Sequence, residues 1–469
     1  MTDKLAGRDL QQVQQGLRMA HPPDPEATAR EAAYLEELAK AGPWQRTRGF
    51  LRLLGPGYMQ SAMTLGAGSA ASSLFAGAMF GYELLWVAPL GMVIGVLLLA
   101  MVSYQTLSTQ TRPLPAMAKH AGRPIAYGFA FAAVLASVIW HFPQYNLAAT
   151  SVVDLGSMVG FDDIAPLGAS FGVMILAVSL SLLYGRKRGF VRLYERFLKW
   201  MVWGVVVCLL WVVIRTDTDW GAVFRGFIPS LPEQKGDTDP RILVASGLAA
   251  AIGVNMVLLY PYSLLARGWG RSHRQLARWD LGVGMLLPYV LATALMTIAA
   301  ANTLHASGAP IEKTAAISEA GRVLGDVLGP VTGRLVFDFG MLAMALSTIT
   351  LHMIVCGFVA MEVFGYEFGS RAQRLWTLLP LPGVLAPVFW GDYAVWLAVP
   401  TTIICGLMLP VAFVGFLILQ RSKAYLGADR PQGLWATAWF LGMAVATTGF
   451  FAFLLWTAIE RLPGYFARF

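Results

Sequence analysis

The chain has 469 residues, of which 57% are hydrophobic and only 13% are charged, and its mean hydropathy is +0.59. Soluble domains carry about 25% charged residues, so the composition excludes a soluble protein and predicts an all-α integral membrane protein. The formal net charge of +8 is explained by basic loops on one face of a membrane, and no nucleic-acid partner is expected.

The chain begins with a polar segment, residues 1–48, which we expect to lie in the cytoplasm. Asp24-Pro25-Glu26 is a typical helix start, because a carboxylate can cap the first turn and proline suits the first helical position. The alternation of apolar and charged residues that follows predicts a short amphipathic helix, which ends at Gly42-Pro43. Residues 49–469 then form one transmembrane domain.

Eleven apolar stretches in this domain are long enough to be transmembrane spans. Their positions are roughly 51–80, 84–104, 125–150, 165–184, 197–215, 243–266, 280–303, 335–359, 376–390, 394–420 and 434–458.

Basic residues fall in alternate loops. The loops after spans two, four, six, eight and ten each carry several Lys or Arg residues, whereas the loop between spans three and four holds Asp154, Asp162 and Asp163 and no basic residue. Because basic loops face the cytoplasm, we expect a multi-pass protein of the cell (inner) membrane. Its N-terminus would be cytoplasmic and its C-terminus outside.

The first span contains a poor helix former at its centre, Gly66-Ala67-Gly68-Ser69. Glycine weakens a helix interior, so this stretch predicts two half-helices that meet at an unwound centre. Such a break exposes backbone N–H and C=O groups, and broken helices form the substrate sites of many transporters. We therefore interpret these four residues as substrate-binding. A continuous helix with small residues for close packing is the alternative.

Span three carries polar residues within its apolar run: His141 and Gln144, with Pro143 between them. Polar groups inside a membrane usually face the bundle interior. Gln144 is therefore a candidate for binding the substrate. His141 could titrate near neutral pH and is a candidate proton relay, although a structural, hydrogen-bonded histidine explains it equally well.

Spans six and eight add further candidates. Tyr260 and Tyr262 flank Pro261, and Asn255 lies one to two turns earlier; this set suits an organic solute or a partly hydrated ion, or else a kinked packing helix. Span eight offers hydroxyl groups, of which Ser347 and Thr348 are the candidates, together with Thr350 and His352. Asp338 and Glu362 lie near the predicted membrane edges, where solvation would explain them.

Four stretches resemble the Nramp family (natural resistance-associated macrophage proteins). They are Gly55-Pro56 with Phe80–Trp86 at gapless spacing, Asp219–Pro229, Ser347–Thr350 and Leu409–Ala412. The resemblance extends from about residue 50 to the C-terminus. It implies a LeuT-type fold, in which two inverted five-helix repeats surround helices one and six, both unwound at the midplane. Span eleven is then additional to the repeats.

The resemblance fails where the family binds metal. Its Asp-Pro-Gly-Asn motif in helix one aligns with Gly66–Ser69, so the carboxylate is missing. Its Met-Pro-His motif in helix six aligns with Tyr260–Tyr262 or with Val257–Leu259, and either register removes the thioether and the imidazole. Transition metals need several such ligands, and a dehydrated divalent cation without a carboxylate is strongly penalised. The chain is interpreted as an atypical branch, and no metal ligands are transferred.

These observations predict a secondary transporter that works by alternating access and does not use the usual Mn²⁺ or Fe²⁺ mechanism. Its substrate would be either a hydrated divalent cation such as Mg²⁺, which neutral oxygens can hold, or a small polar organic solute. A non-transporting sensor or receptor on an Nramp scaffold is the alternative. No enzyme activity and no cofactor are expected, since no nucleophile–base pair is visible. The expected partners are the substrate and the lipid bilayer, and the oligomeric state stays open.

Overall fold

The computed structural model describes residues 25–183, 188–234, 238–306, 329–393 and 395–463. Within these ranges the regular elements are helices. The α-helices are α1 Pro25–Lys40, α2 Pro43–Leu53, α3 Pro56–Thr64, α4 Ala67–Phe80, α5 Val87–Thr109, α6 Pro113–His120, α7 Arg123–Ser157, α8 Pro166–Leu183, α9 Arg188–Arg215, α10 Trp220–Gly226, α11 Pro240–Ala250, α12 Val254–Arg267, α13 Arg274–Trp279, α14 Leu287–Ala300, α15 Pro330–Phe364, α16 Arg371–Leu375, α17 Ala386–Trp390, α18 Ala398–Gly406, α19 Leu409–Arg421, α20 Lys423–Leu426 and α21 Leu434–Glu460.

The described helices confirm an all-α membrane protein. They form nine spans that are long and apolar enough to cross a membrane, three of them made of consecutive helical segments, and α3 and α4 form a tenth span that is bent by 55° at its centre. The ninth predicted span, 376–390, is a series of short helical turns instead of one helix. Pro380, Pro382 and Pro387 explain this difference, because a proline in a helix interior removes a hydrogen bond and clashes with the preceding turn.

Two helices of 35 residues, α7 and α15, pack side by side and form the axis of the bundle. The span formed by α11 and α12 is 94% buried, as is the apolar part of α15. The last helix, α21, is only 17% buried and therefore lies at the periphery. Burial inside a membrane bundle brings no hydrophobic gain over lipid, so close packing and hydrogen bonds hold these central helices together.

The first half-helix, α3, is held at its N-terminus by a buried carboxylate. Asp280 accepts hydrogen bonds from the backbone N–H of Gly55 at 2.9 Å and of Gly57 at 2.5 Å. Asp280 is fully buried and begins a π-helical segment, Asp280–Leu286. A side chain at position 57 would overlap the backbone of Asp280, which explains the glycine there. A carboxylate also suits the positive end of the helix dipole.

The amphipathic helix α1 packs beneath the end of α12. The Glu31 carboxylate accepts a hydrogen bond from Trp269 Nε1 at 3.1 Å and lies 3.5 Å from His273 Nε2. Burial raises the pKa of Glu31, but hydrogen bonding to His273 and the charges of His273 and Arg267 outweigh burial and hold this pKa below its usual value. The polar segment therefore contacts the transmembrane domain directly.

The structure corrects the view that Asp338 and Glu362 are solvated. Asp338 is fully buried on α15 near Asp154, and Asp154 binds Arg334 at 2.5 and 3.1 Å. At the other end of α15, Glu362 pairs with Arg112 at 3.1 Å and also accepts a hydrogen bond from Tyr262. The sequence places both carboxyls near predicted membrane edges, but folding covers those edges with neighbouring helices.

We predict that Asp280→Ala lowers the free energy of unfolding by about 2–4 kcal/mol, because hydrogen bonds to a charged group contribute about 1.5–3 kcal/mol each. The measurement is the thermal unfolding temperature in detergent. Asp162→Ala, in an exposed loop, is the matched control and should leave this temperature unchanged. Equal temperatures for the two variants would show that the carboxylate does not stabilise α3.

Candidate functional site

Two broken helices meet at a small cavity in the centre of the bundle. The first break separates α3 from α4 at Leu65-Gly66, and the second separates α11 from α12 at 251–253. The cavity volume is about 20 Å³, which is room for about one water molecule. The lining residues are Met63, Thr64, Gly66, Gly68, Ser69, Trp140, Gln144, Ala250, Asn255, Met256, Thr348, His352 and Thr402.

The backbone of the first break is satisfied by side chains of the protein. Ala67 N–H donates to Gln144 Oε1 at 3.0 Å, and Gly66 N–H donates to Ser69 Oγ at 3.1 Å. Ser69 Oγ in turn donates to the Thr64 carbonyl at 2.7 Å. The predicted break is present. Its first two N–H groups, which were expected to be available to a substrate, form hydrogen bonds within the protein.

Side chains at positions 66 and 68, in and just after this break, would collide with neighbouring side chains. A Cβ at position 66 would lie 2.6 Å from Thr348 Oγ1 and 2.7 Å from Gln144 Nε2. A Cβ at position 68 would lie 2.5 Å from Thr402 Oγ1. Helices α7, α15 and α18 thus fill the space that side chains at these positions would need.

A sulfur that was not predicted to lie at the site belongs to the first turn of α12. Met256 Sδ accepts hydrogen bonds at 3.3 Å from Gly253 N–H and from Thr64 Oγ1, so it bridges the two breaks. The break ends at Gly253, and Met256 lies three residues later. Neither register proposed for span six included this residue. The expectation that no thioether lies at the site is therefore wrong.

An imidazole also reaches the cavity, from α15. His352 is buried, stacks on Trp140 with ring centroids 5.7 Å apart, and lines the cavity. Its Nδ1 has no hydrogen-bond partner within the described residues. Trp140 Nε1 donates to Thr402 Oγ1 at 3.3 Å, which links α7 to α18.

The structure gathers most of the predicted site residues around the cavity. Gly66, Gly68, Ser69, Gln144, Asn255 and Thr348 line it, and Ala67 bonds to Gln144.

Three predicted side chains lie elsewhere. Ser347 donates to the Ala62 carbonyl at 3.0 Å, and Tyr260 donates to the Ala277 carbonyl at 3.4 Å. Tyr262 donates to Glu362 at 2.6 Å, at the end of α15. The two tyrosines follow the break by about two turns, so they belong to the packing of α12.

His141 lies next to the cavity without lining it. Its Nδ1 is 2.8 Å from the Ser137 carbonyl, and its Nε2 has no partner among the described residues. Its ring centroid lies 5.4 Å from that of His352. The two imidazoles therefore form a buried pair, of which only His352 faces the cavity.

The donors at this cavity are neutral. They comprise amide and hydroxyl oxygens, the Met256 thioether and the His352 imidazole, and none of the described residues that line the cavity carries a carboxylate. Within the part of the chain that the structure describes, no group of three or more His, Cys, Asp or Glu residues could hold a metal ion. Any cation here would be held by neutral donors and by the C-terminal carbonyl ends of α3 and α11.

Comparisons with known proteins agree on one family. The family model described as "Natural resistance-associated macrophage protein-like" matches residues 57–457. A protein of Agrobacterium fabrum named "Divalent metal cation transporter MntH" is 26% identical over 413 residues, covering 84% of this chain and 85% of that protein. A protein of the same name from Mycobacterium tuberculosis (strain ATCC 25618 / H37Rv) is 27% identical over 409 residues, covering 84% of this chain and 88% of that protein.

Solved structures share the fold at low sequence identity. The Eremococcus coleocola manganese transporter, crystallised with an aromatic bis-isothiourea substituted compound, matches with a TM-score of 0.74 at 17% identity and covers 89% of this chain and 88% of its own. MhsT in complex with L-phenylalanine matches with a TM-score of 0.59 at 16% identity, covering 86% of this chain and 98% of MhsT. The LeuT-type fold is thereby confirmed.

We predict that Gly68→Ala destabilises the protein by about 1–3 kcal/mol, because the added methyl group overpacks the contact with Thr402. In the double variant Gly68→Ala/Thr402→Ala the nearest remaining atom is the Cβ of residue 402, at 3.6 Å. In thermal unfolding measurements, the double variant should therefore lose less stability than the sum of the losses of the two single variants. Gly172→Ala has open space around it and is the control. Strict additivity would contradict the packing described.

Proposed function

This chain belongs to the Nramp family, and from that membership we propose that it is a secondary transporter that moves a divalent metal cation by alternating access. It is a multi-pass integral membrane protein of a transporter family and not an enzyme. The printed names of its relatives support the divalent cation as cargo. The finer choice among substrates rests on the cavity.

One observation carries the choice of cargo: the cavity between the two breaks is small and contains a thioether and an imidazole. A volume of about 20 Å³ suits a single ion or water molecule, whereas an organic solute needs a pocket of several hundred Å³. Thioether and imidazole ligands favour transition metals over Mg²⁺, which prefers oxygen. Met256 and His352 therefore support a first-row transition metal ion as the cargo.

The proposed site differs from a carboxylate site in how it balances charge. Gln144 and Thr348 fill the space in which a side chain at position 66 would lie, so the ion meets dipoles and neutral ligands instead of a negative charge. The C-terminal ends of α3 and α11 carry partial negative charge and supply part of the compensation. We expect weaker binding than a carboxylate would provide, because neutral ligands compensate the charge of the ion less completely.

The two substrates considered from sequence remain as competing hypotheses. Mg²⁺ is supported by the amide and hydroxyl oxygens around the cavity, but an Mg²⁺ ion that keeps several of its waters would need a wider cavity. An organic solute would require the half-helices to move apart, because the cavity has no room for it. A sensor without transport activity would bind the ion but produce no uptake.

The His352–His141 pair supports a proton path beside the site. We propose that a cation in the cavity disfavours a charged His352, and that protons pass between this ring and His141, whose Nε2 is buried without a partner in the described ranges. Histidine is the side chain whose unperturbed titration lies nearest to neutral pH. The relay assigned to His141 from sequence is retained in this form.

We also propose the orientation indicated by the basic loops. The segment 1–48 and the loops after even-numbered spans would face the cytoplasm, in the cell membrane, with the C-terminus outside. The contact of Glu31 with Trp269 and His273 supports a position of α1 on the same face as the basic loop after α12.

We predict that purified protein in proteoliposomes takes up Mn²⁺ in preference to Mg²⁺. Met256→Leu should weaken the apparent affinity for Mn²⁺ about tenfold, because changes around a metal site typically cost about 10- to 100-fold. Met92→Leu, at a fully buried methionine of α5 outside the cavity, is the matched control and should retain wild-type affinity.

Three results would decide against the metal proposal in different ways. Uptake of Mg²⁺ with no effect of Met256→Leu would favour the hydrated cation. Stabilisation by polar metabolites in a thermal-shift screen, with no uptake of either ion, would favour an organic solute. Binding of Mn²⁺ with no uptake into vesicles would favour a sensor.

We predict that His141→Ala leaves Mn²⁺ binding within about twofold and abolishes the pH dependence of uptake, because the variant has no imidazole to carry the proton. Uptake at a fixed metal concentration is measured as a function of external pH. His120→Ala, on a helix outside the spans, is the control. An unchanged pH profile would remove His141 from the mechanism.

A further inference from the structure

A second concave site lies at the periphery of the bundle, away from the central cavity. It is a groove of about 540 Å³ between the ends of α5 and α19, the start of α21 and the segment around Arg278. All of these elements meet on the face of the protein that carries the basic loops. The transport function proposed above uses no residue of this groove.

The basic residues of this region outnumber its single carboxylate. Asp429 lies 2.8 Å from Arg271 and 2.9 Å from Arg274, so it already compensates two guanidinium groups. Arg278 and Arg430 also line the groove, and neither forms an ion pair with any residue in the described ranges. The Nε of Arg430 is buried without a hydrogen-bond partner there. The groove therefore has an excess of positive charge and unused donors.

Part of the groove is apolar. Ala100 and Met101 of α5 line it together with Ala436 and Trp439 of α21, next to the polar residues Tyr104 and Gln420. The same two helices carry exposed apolar residues deeper along their length, since Leu97 is 41% and Leu441 is 56% exposed. A basic end next to an apolar wall that continues over the lipid-facing surface matches the two halves of a phospholipid.

We propose that this groove binds an anionic phospholipid. The headgroup phosphate is held by Arg278 and Arg430, which can donate several hydrogen bonds to its oxygens, and an acyl chain lies between α5 and α21. Basic pockets between helices at the membrane surface are known to suit anionic lipids. A free phosphate ion would use the arginines but would gain nothing from the Met101–Trp439 wall.

The proposed lipid also has a structural role. Helix α21 is 17% buried, whereas the central helices are more than 90% buried, so α21 has few protein contacts. A lipid in the groove joins α5, the Arg278 segment and the α19–α21 connection. The bound lipid should therefore raise the stability of the assembled bundle through mass action.

The test compares lipids on the purified full-length protein. Thermal unfolding in detergent is measured while phosphatidylglycerol, phosphatidylcholine, glycerol phosphate or inorganic phosphate is added. We expect a saturable rise in unfolding temperature with phosphatidylglycerol and no comparable rise with the other three. Equal rises with phosphatidylcholine, or an equal rise with glycerol phosphate or inorganic phosphate, would overturn the proposal.

Variants then locate the effect. Arg278→Gln and Arg430→Gln should each weaken the phosphatidylglycerol effect about fivefold in half-saturating concentration, as expected for one guanidinium near a lipid surface. Arg371→Gln removes an exposed arginine elsewhere in the chain and should match the wild type. Native mass spectrometry of the same variants reports lipid retention directly. Full retention of phosphatidylglycerol by the Arg278→Gln/Arg430→Gln variant would also overturn the assignment.

Discussion

The structure depends on one constraint: two helices are broken inside a membrane, and the backbone N–H and C=O groups at the breaks must form hydrogen bonds within the protein. Water is scarce there, and an unsatisfied N–H or C=O group would cost several kcal/mol. The protein meets this requirement with side chains from other helices. Gln144 of α7 accepts from Ala67, and Met256 accepts from Gly253 and Thr64. The contacts that hold the breaks open are therefore the same contacts that build the cavity.

Helix α15 extends this arrangement over the length of the molecule. It carries Arg334 with its partner Asp154 near one end, Thr348 and His352 at the cavity, and Glu362 with its partner Arg112 at the other end. Each of these carboxyls is largely covered by protein. Both arginines are partly exposed, so each pair is screened on one side by its surroundings. The two ends of α15 are held by these polar contacts as well as by its apolar surface.

Much of the fold could be predicted from sequence, because hydrophobic length determines membrane spans and glycine marks the first break. The second break was harder to place. Pro261 is the stronger helix breaker by chemistry, yet it lies inside α12, which continues to Arg267. The break occurs at Gly253 instead. Met256 was not predicted, because an alignment compares residues at matching positions and does not show where a side chain reaches. Its sulfur reaches the cavity from a position three residues beyond the break. Burial of Asp338 and Glu362 depends on helices distant in sequence and could not be inferred from their position in a span.

The neutral lining of the cavity has an electrical consequence. A divalent ion held only by Gln144, Met256, His352 and similar neutral groups crosses the membrane with both of its charges uncompensated by the protein. Moving one charge through a potential of 100 mV corresponds to about 2.3 kcal/mol, so two charges correspond to about 4.6 kcal/mol. In the proposed transport cycle a cell interior at negative potential would draw the ion inward with this free energy. Unless exported protons cancel the charge, uptake would be measurable as an electric current, and its rate would follow the membrane voltage.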